Sequence, residues 1–167
     1  MKTLRLIVLI TSLSVITACT ESGPVTPADI TQGTVCSLDG MLLMDYPGPK
    51  AQIHYAGQAP EFFCDTVEMF SIYLRPEQQR KITGIFTQDM GKADWKEPKG
   101  NWIDARSAFY VYGPKITGSM GPTFAAFANR ELAQAFAKEH DGKVIPFNEV
   151  NIDMVDLRGG AKHDQSM

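Results

Sequence analysis

Apolar and polar positions in the first part of the chain form the pattern of one small mixed unit. Residues 51–56 alternate between apolar and polar, as expected for a strand, and Asp65 is a favourable helix N-cap with Glu68 at the capping-box position. Pro76 predicts the end of that helix. The predicted elements are, in order, a strand at 51–56, a short apolar strand at 61–63, a helix from Asp65 and a return strand at 82–86.

The second part of the chain repeats this order with different residues. Asn129 is a favourable N-cap for its helix, and Asp141 and Gly142 predict the end of that helix. A Phe stands two residues before each predicted helix cap, at Phe63 and Phe127. The predicted elements are strands at 101–105 and 108–112, a loop rich in Gly, Pro and Met at 113–122, a helix from Asn129 and a strand at 143–147.

Each half is a β-β-α-β unit that is too small to bury both its sheet and its helix alone. We therefore predict an α+β fold, a single domain of two packed β-β-α-β repeats over residues 35–157. Residues 158–167 are polar and contain glycine, which predicts a disordered tail.

The N-terminal residues have the pattern of a leader peptide. Lys2 and Arg5 flank the start of a short apolar stretch, which ends in small residues before Cys19. This pattern predicts a signal peptide at 1–18 and lipidation of Cys19, which would anchor the protein to a membrane. The alternative is an ordinary cleaved signal peptide with a cysteine close to the cleavage site.

Residues 19–34 are predicted to be the lipidated cysteine and a flexible tether, because they are polar and contain Pro and Gly. The protein would then be periplasmic and lipid-anchored. The residue after Cys19 is Thr20. By resemblance to Gram-negative lipoproteins, an Asp at this position would indicate retention in the inner membrane, so Thr20 favours the outer membrane.

The composition is that of a globular, acidic protein. The 167 residues are 44% hydrophobic and 21% charged, with a formal net charge of −3 that becomes more negative once the basic leader is removed. A nucleic-acid-binding protein would need a basic face to neutralise phosphates. We therefore exclude nucleic acid as a partner.

Common enzyme motifs are absent from the sequence, so we predict that the protein is not an enzyme. There is no Gly-x-Ser-x-Gly elbow, no phosphate-binding Gly-Lys-Ser/Thr loop and no Gly-x-Gly-x-x-Gly. His54, His140 and His163 are isolated from one another, without the paired spacing of a zinc site. A lone histidine is more often structural or solvated than a metal ligand.

The cysteine and methionine side chains are the remaining candidates for a functional site. Thiolates and thioethers are soft donors that prefer Cu(I), and two methionines precede a Gly in predicted loops, where a core Met is not expected. For Met69, on the first predicted helix, packing in the core is favoured, and core packing is also the alternative for the methionines after Cys36. The candidate donors are Cys36, Met41, Met44, Met90 and Met120.

Cys64 leaves two interpretations open. A disulfide with Cys36 would suit an oxidising compartment, whereas the position directly before the helix cap favours a small buried cysteine. A zinc knuckle is disfavoured because Asp39 stands three residues after Cys36, where a Cys-x-x-Cys pair would need its second thiol.

Several motifs together resemble the NosL family. They are Cys36 to Met41, residues 47–52, Asp89-Met90-Gly91, residues 100–105 with 108–111, and Met120-Gly121. NosL proteins are lipoproteins that deliver copper for the copper–sulfide site of nitrous oxide reductase. The resemblance covers most of the mature chain. It implies a fold of two β-β-α-β units related to organomercurial lyase, and apo nitrous oxide reductase and the NosDFY membrane machinery as partners.

The resemblance also implies an exposed Cu(I) site made by Cys36 and Met120. A common family pattern is Cys-x-x-Cys-Gly-Met, and here Asp39 replaces the second cysteine while Met41 matches the methionine. A carboxylate is a poor Cu(I) ligand, so we predict a low-coordinate site with Met41 as a possible third donor. We expect a monomer.

Two other functions fit parts of the sequence. Organomercurial lyase uses two cysteines and an Asp three residues after one of them, which Cys36, Asp39 and Cys64 would supply. A structural lipoprotein with a Cys36–Cys64 disulfide is the other alternative.

Overall fold

The computed structural model describes residues 23–119, 121–155 and 157. The predicted leader, Cys19, Met120 and the predicted tail at 158–167 lie outside the described residues. The helices and strands are β1 (Ala51–Tyr55), β2 (Glu61–Phe63), α1 (Thr66–Tyr73), β3 (Ile82–Gln88), β4 (Trp102–Asp104), β5 (Phe109–Gly118), β6 (Gly121–Phe127), α2 (Arg130–Glu139) and β7 (Lys143–Pro146).

These elements form two antiparallel sheets, with strand orders β2-β1-β3-β4 and β6-β5-β7. The units β1-β2-α1-β3 and β5-β6-α2-β7 have the same topology, since the first strand of each lies between the other two. The predicted α+β fold of two β-β-α-β repeats is therefore confirmed. Within the described residues, no helix is both long and apolar enough to span a bilayer.

The strands of the second repeat differ from the prediction. Residues 113–122 were expected to form a loop, but β5 continues to Gly118 and β6 starts at Gly121. The strand expected at 101–105 is β4, which pairs with β3 in the first sheet. The physical reason is that the pairing of β5 with β6 shifts register between Tyr112 and Thr117. Such an irregularity accommodates glycine and proline inside a strand, so these residues did not mark a loop.

The main core lies where α1 meets both sheets. Phe70 of α1 is fully buried and contacts the rings of Tyr110, Phe124 and Phe147. Met69 is also fully buried in this core, which confirms the interpretation made for it. Because alternate residues of a strand point to opposite faces, β5 and β6 also contribute to a second cluster under α2.

The helix starts follow the predicted N-caps. The Asp65 carboxylate accepts a hydrogen bond from the Val67 amide at 3.1 Å, and the Asn129 side chain accepts one from the Leu132 amide at 2.9 Å. The helices differ in burial, since α1 is almost wholly enclosed whereas α2 buries only Ala133 and Ala137.

Part of the predicted tether lies against the first sheet. Both backbone groups of Ala28 bond to the Gln52 side chain, with Ala28 N 2.8 Å from Oε1 and Gln52 Nε2 3.0 Å from the Ala28 carbonyl oxygen. His54 supports the same amide through a 2.7 Å contact with Oε1. Two residues later, Ile30 packs against the cluster of Cys36 and Cys64. This segment is therefore attached to the domain and reaches its sulfur cluster.

Candidate metal centre

Four potential metal donors converge where the N-terminal segment meets α1. The sulfur atoms of Cys36 and Cys64 and one carboxylate oxygen each of Asp39 and Glu68 all lie within 4.8 Å of one another. Both cysteines are free and buried. The structure thus brings together two soft and two hard donors.

A tight ribbon positions Cys36. Its amide donates to the Met41 carbonyl at 2.8 Å, and Val35 pairs with Leu42 in an antiparallel bridge. Gly40 adopts a φ of +80°, a conformation that side chains disfavour, and its amide donates to the Cys36 carbonyl at 2.9 Å. We call residues 34–43 the metal ribbon. Its tight turn directs the thiol of Cys36 inward, where the residue is only 2% exposed.

The entry to α1 supplies the other two inner donors. Cys64 is fully buried between the end of β2 and the N-cap Asp65, as the small buried cysteine interpretation predicted. Glu68 lies four residues further on, so its side chain is on the same side of the helix entry. Its Oε2 is 3.1 Å from the sulfur of Cys36 and 3.4 Å from that of Cys64. The predicted capping-box residue therefore contacts both thiols.

The three inner groups shift one another's pKa values. The hydrogen bond from the Cys64 thiol, acting against burial, lowers the pKa of Cys36 to about 6. The same hydrogen bond and burial raise the pKa of Cys64 far above its usual range. Burial and the charge of Cys36 raise the pKa of Glu68 to about 9. The arrangement therefore favours the thiolate form of Cys36 and the protonated forms of Cys64 and Glu68.

Two further elements surround the Cys64 peptide. Its carbonyl accepts from Lys50 Nζ at 3.0 Å and from Ser119 Oγ at 2.9 Å. Ser119 also donates to Asp65 Oδ2 at 3.3 Å. A side chain on Gly48 would approach the Cα of Gly118 to 2.9 Å, so both glycines are needed where these segments meet. The turn between β5 and β6 is thus attached to the site by residues beside the predicted ligand Met120.

The methionine candidates separate into two groups. Met41 packs against the cluster of Cys36 and Cys64, whereas Met44 lines a different cavity with Asp29 and Met90 packs in the cluster under α2. The two histidines of the described residues lie elsewhere, His54 beside Gln52 and His140 stacked on Phe136. Of the predicted ligands that the structure describes, it brings together Cys36 and Met41.

Sequence reasoning did not assign Cys64 or Glu68 to the metal site. Their spacing of four residues at a helix entry was a usable signal, since such residues share a face. The sequence did not predict that the metal ribbon packs against the start of α1, because this contact joins segments that are far apart in the chain. The buried Cys36 also differs from the exposed site that the family resemblance implied.

Comparison with known proteins identifies the family. The profile of the NosL family matches residues 27–155 of the chain. The chain belongs to the NosL family. It is 35% identical over 136 residues to the copper-binding lipoprotein NosL of Stutzerimonas stutzeri, covering 78% of this chain and 71% of that protein.

Two further relatives agree with this assignment. The copper-binding lipoprotein NosL of Achromobacter cycloclastes is 36% identical over 159 residues, covering 91% of this chain and 82% of that protein. The crystal structure of the copper chaperone NosL from Shewanella denitrificans matches with a TM-score of 0.74 at 31% identity, covering 79% of this chain and 99% of that one. The NosL fold thus spans the described domain.

Proposed function

We propose that this protein is a membrane-anchored periplasmic Cu(I) chaperone that delivers copper for the copper–sulfide site of nitrous oxide reductase. The observation that carries the proposal is the pair of free, buried thiols of Cys36 and Cys64, which lie together beside Glu68. The family relationship supports it, because two relatives are named copper-binding lipoproteins and a third is named a copper chaperone.

Copper is the cargo in this proposal, and the charges of the site suit a monovalent ion. The two cysteines shift each other's pKa in opposite directions, which favours one proton and one negative charge on the pair of sulfurs. Cu(I) carries the same charge as that proton and would take its place between two soft donors. The total charge of the buried site would then stay the same, and the cost of burying a new charge would be avoided.

Transfer requires that copper can also leave. Two thiolates, with a thioether from Met41 or Met120 as an additional donor, leave coordination positions that a recipient's ligand can occupy. Asp39 lies at the exposed end of the cluster and contributes a hard donor that binds Cu(I) weakly. The partners in this proposal are apo nitrous oxide reductase and the NosDFY machinery, and no enzymatic step is needed.

Attachment to the membrane follows from the predicted leader and from the relatives' names, which describe lipoproteins. In the proposal, Cys19 carries the lipid after removal of residues 1–18, and the outer membrane is the destination. Mass spectrometry of the purified protein would detect the acyl groups, and a Cys19→Ser variant should be released into the soluble periplasmic fraction.

Titration with Cu(I) tests the site assignment. The full-length protein, solubilised in detergent and reduced, would compete with a chromophoric Cu(I) chelator. We expect Cys36→Ala and Cys64→Ala each to weaken Cu(I) binding by about a hundredfold or more. Losing a residue that only supports a metal ligand typically costs about 10–100-fold in affinity, and losing the ligand itself should cost at least as much. Met41→Ala and Met120→Ala should have smaller effects, and Met44→Ala is the matched control. Equal affinities for the wild type and both cysteine variants would refute the assignment.

Delivery needs a separate test. Copper-loaded protein would be mixed with apo nitrous oxide reductase in the presence of membranes that contain the NosDFY machinery, and copper in the reductase would be measured. We expect reductase loading to depend on Cys36. Loading at the same rate by free Cu(I)–chelator complex would contradict a delivery function.

One observation favours a second candidate function. Cys36, Asp39 and Cys64, the residues that an organomercurial lyase would need, lie in the same cluster. In that reaction the Cys36 thiolate would bind the mercury of R–Hg⁺, and the Cys64 thiol would pass its proton to the Asp39 carboxylate as its sulfur also binds mercury. Asp39 would then protonate the departing carbon, so that R–H leaves and Hg(II) stays on the two sulfurs. Incubation with phenylmercury and excess thiol would decide: benzene release that Cys36→Ala abolishes would support a lyase, and no benzene would exclude it.

A further inference from the structure

We infer that Lys50 is a specificity-determining residue of the metal centre, because its buried positive charge disfavours divalent ions there and so favours Cu(I) over Zn(II). The inference deepens the proposed function and rests on it, since it names the residue by which a copper carrier would reject a competing metal. Lys50 acts through its charge and through the backbone of Cys64, and it is not itself a metal ligand.

The donor set of the centre would also suit Zn(II). The sulfur atoms of Cys36 and Cys64 and one carboxylate oxygen each of Asp39 and Glu68 lie within 4.8 Å of one another. Zn(II) binds thiolate and carboxylate ligands with tetrahedral geometry. Ligand type therefore does not by itself reject Zn(II). The remaining difference is charge, because Zn(II) brings one more positive charge than Cu(I) to the same donors.

The register of the first sheet places Lys50 beside the metal centre. Ala51 pairs with Phe63 at the end of the antiparallel β1–β2 ladder, so Lys50 and Cys64 lie opposite each other just beyond it. Lys50 Nζ donates to the Cys64 carbonyl at 3.0 Å and to the Pro47 carbonyl at 3.0 Å. These two hydrogen bonds hold the ammonium against the peptide that carries one of the thiols.

The ammonium is buried among the charged groups of the metal centre. Lys50 is only 1% exposed. Burial lowers the pKa of Lys50 to about 8, and the charges of Asp65, Cys64, Glu68 and Cys36 act against this shift. The ammonium form is therefore favoured at neutral pH. Its charge acts on the centre through surroundings that screen it less than water does.

The positive charge is what Lys50 adds beyond its hydrogen bonds. A neutral donor bonds a carbonyl equally well, as Ser119 Oγ does to the same Cys64 carbonyl at 2.9 Å. Burying an ammonium costs free energy that a neutral donor would not cost. A metal ion in the centre is repelled by Lys50 in proportion to its charge, so a divalent ion is repelled about twice as strongly as a monovalent one.

The test measures the Cu(I) and Zn(II) affinities of the full-length lipoprotein, solubilised in detergent and reduced, at neutral pH against a chromophoric chelator for each ion. Lys50→Met removes the ammonium and keeps an unbranched side chain. We expect the ratio of Zn(II) affinity to Cu(I) affinity to rise about tenfold or more, because one buried positive charge is lost.

Two variants serve as controls for this change. Lys50→Arg keeps the charge and should keep the wild-type affinity ratio, although its larger group should weaken the binding of both ions. Lys115→Met removes an exposed ammonium 3.6 Å from Asp141. Because solvent and salt screen an exposed charge, the ratio should stay within about twofold of the wild type.

A second variant changes the charge in the opposite sense. Asp65→Asn removes a buried negative charge that acts on Lys50 and keeps a side-chain oxygen that can cap α1. We expect the affinity ratio to fall about tenfold. A structural disturbance would weaken both ions and would not shift the ratio in opposite directions in the two variants.

Several results would overturn the inference. One is an unchanged ratio in Lys50→Met, and another is a shift of the same sign in Lys50→Met and Asp65→Asn. If thermal denaturation shows that Lys50→Met does not fold, Asp65→Asn decides alone, and a ratio that is unchanged or higher in that variant is the contradicting result.

A Glu68→Gln background removes a further source of charge change. In this background no proton can leave position 68 with Zn(II), so the two ions differ by one charge in the bound site. The Lys50→Met shift should appear both here and in the natural sequence. A shift that appears only in the Glu68→Gln background would overturn the role of Lys50 in the natural centre.

These measurements separate the inference from the proposed function. If Cys36→Ala and Cys64→Ala bind Cu(I) like the wild type, the proposed function fails before selectivity is considered. If the cysteine variants lose Cu(I) but Lys50→Met keeps the wild-type affinity ratio, the chaperone function stands and the role of Lys50 alone is wrong.

Discussion

The two β-β-α-β units have the same topology but differ at the entry to their helices. Phe63 and Phe127 occupy matching positions at the ends of β2 and β6, and Asp65 and Asn129 are the matching N-caps. Between them, the first unit has Cys64 where the second has Ala128. At the third helical position, Glu68 in the first unit corresponds to Leu132 in the second. The same backbone frame thus carries a reactive cluster in one unit and none of those groups in the other.

The surroundings explain why only the first helix entry carries a candidate site. The first helix lies in the main core, where a thiol and a carboxyl are removed from water and their pKa values shift strongly. The entry to α2 is exposed, and Leu132 there is 46% exposed. The metal ribbon packs on the first entry alone. The repeated fold therefore provides equivalent residue positions at both helix entries. Only at the first entry do burial and contact with the metal ribbon shift the pKa values of the side chains.

The largest effect that separates the units should come from their central aromatic residues. Phe70→Ala removes a fully buried ring, which typically costs 3–5 kcal/mol of unfolding free energy, about the range expected here. Phe136→Ala in α2 removes a half-buried ring and should cost about half as much. Urea denaturation of both variants measures the difference. Equal costs would mean that the two helices contribute equally to the core.

The next effect is a pH dependence that only the first helix entry should produce. The pKa of Glu68 is about 9 in the folded protein, whereas its ordinary value is 4.5. Between these pH values the folded state binds more protons than the unfolded chain, so stability falls as pH rises. Cys36 has a folded pKa of about 6 and an ordinary value of 9.0, so the unfolded chain binds more protons there and stability rises with pH. The two slopes oppose each other between pH 6 and 9.

Cys36→Ala removes the rising contribution. It also removes the charge of Cys36 beside Glu68, but burial, the larger cause, keeps the pKa of Glu68 raised, so a falling contribution should remain. We expect its unfolding free energy to decrease by about 1–2 kcal/mol from pH 6 to 9, relative to a flatter wild type. Urea denaturation under reducing conditions at several pH values measures this slope. Asn129→Ala, at the other helix entry, should keep the wild-type profile. A Cys36→Ala variant with the wild-type slope would show that the thiol and Glu68 are not coupled.

A smaller effect concerns what covers the outer face of each sheet. The first sheet is covered by the segment around Ala28, and the second is covered by α2. Gln52→Ala removes the side chain that bonds both backbone groups of Ala28, and we expect a loss of about 1–2 kcal/mol. Hydrogen exchange of residues 25–30 should become faster while exchange in α2 stays unchanged. Unchanged protection of residues 25–30 would contradict an attachment through Gln52.

The smallest expected effect is the loss of the second N-cap. Asn129→Ala removes the acceptor for the Leu132 amide and should cost about 1 kcal/mol. Asn129→Asp keeps an acceptor and should be close to the wild type. Thermal denaturation of both variants checks this, and a cost well above that of an exposed cap would mean that the entry to α2 has a further role.

Much of this molecule could be predicted from local patterns. The N-caps Asp65 and Asn129 were predicted because capping is a local property of a side chain and its next amides. The hairpin of β5 and β6 was missed because its Gly- and Pro-containing stretch satisfies the rules for a loop, and only pairing with a neighbouring strand makes it extended. Cys36 and Met41 were identified from the family motif, but Glu68 was assigned only a local capping position.

The sequence by itself determined the α+β class with two β-β-α-β units and the starts of both helices, and it predicted sulfur donors, because periodicity, capping and donor softness depend on residue type and spacing. The tertiary structure alone decided that Cys36 meets Cys64 and Glu68. These residues are up to 32 positions apart, and their contact depends on how the metal ribbon packs on the entry to α1. That contact lowers the pKa of Cys36 and raises the pKa of Cys64, a difference that neither thiol would have alone.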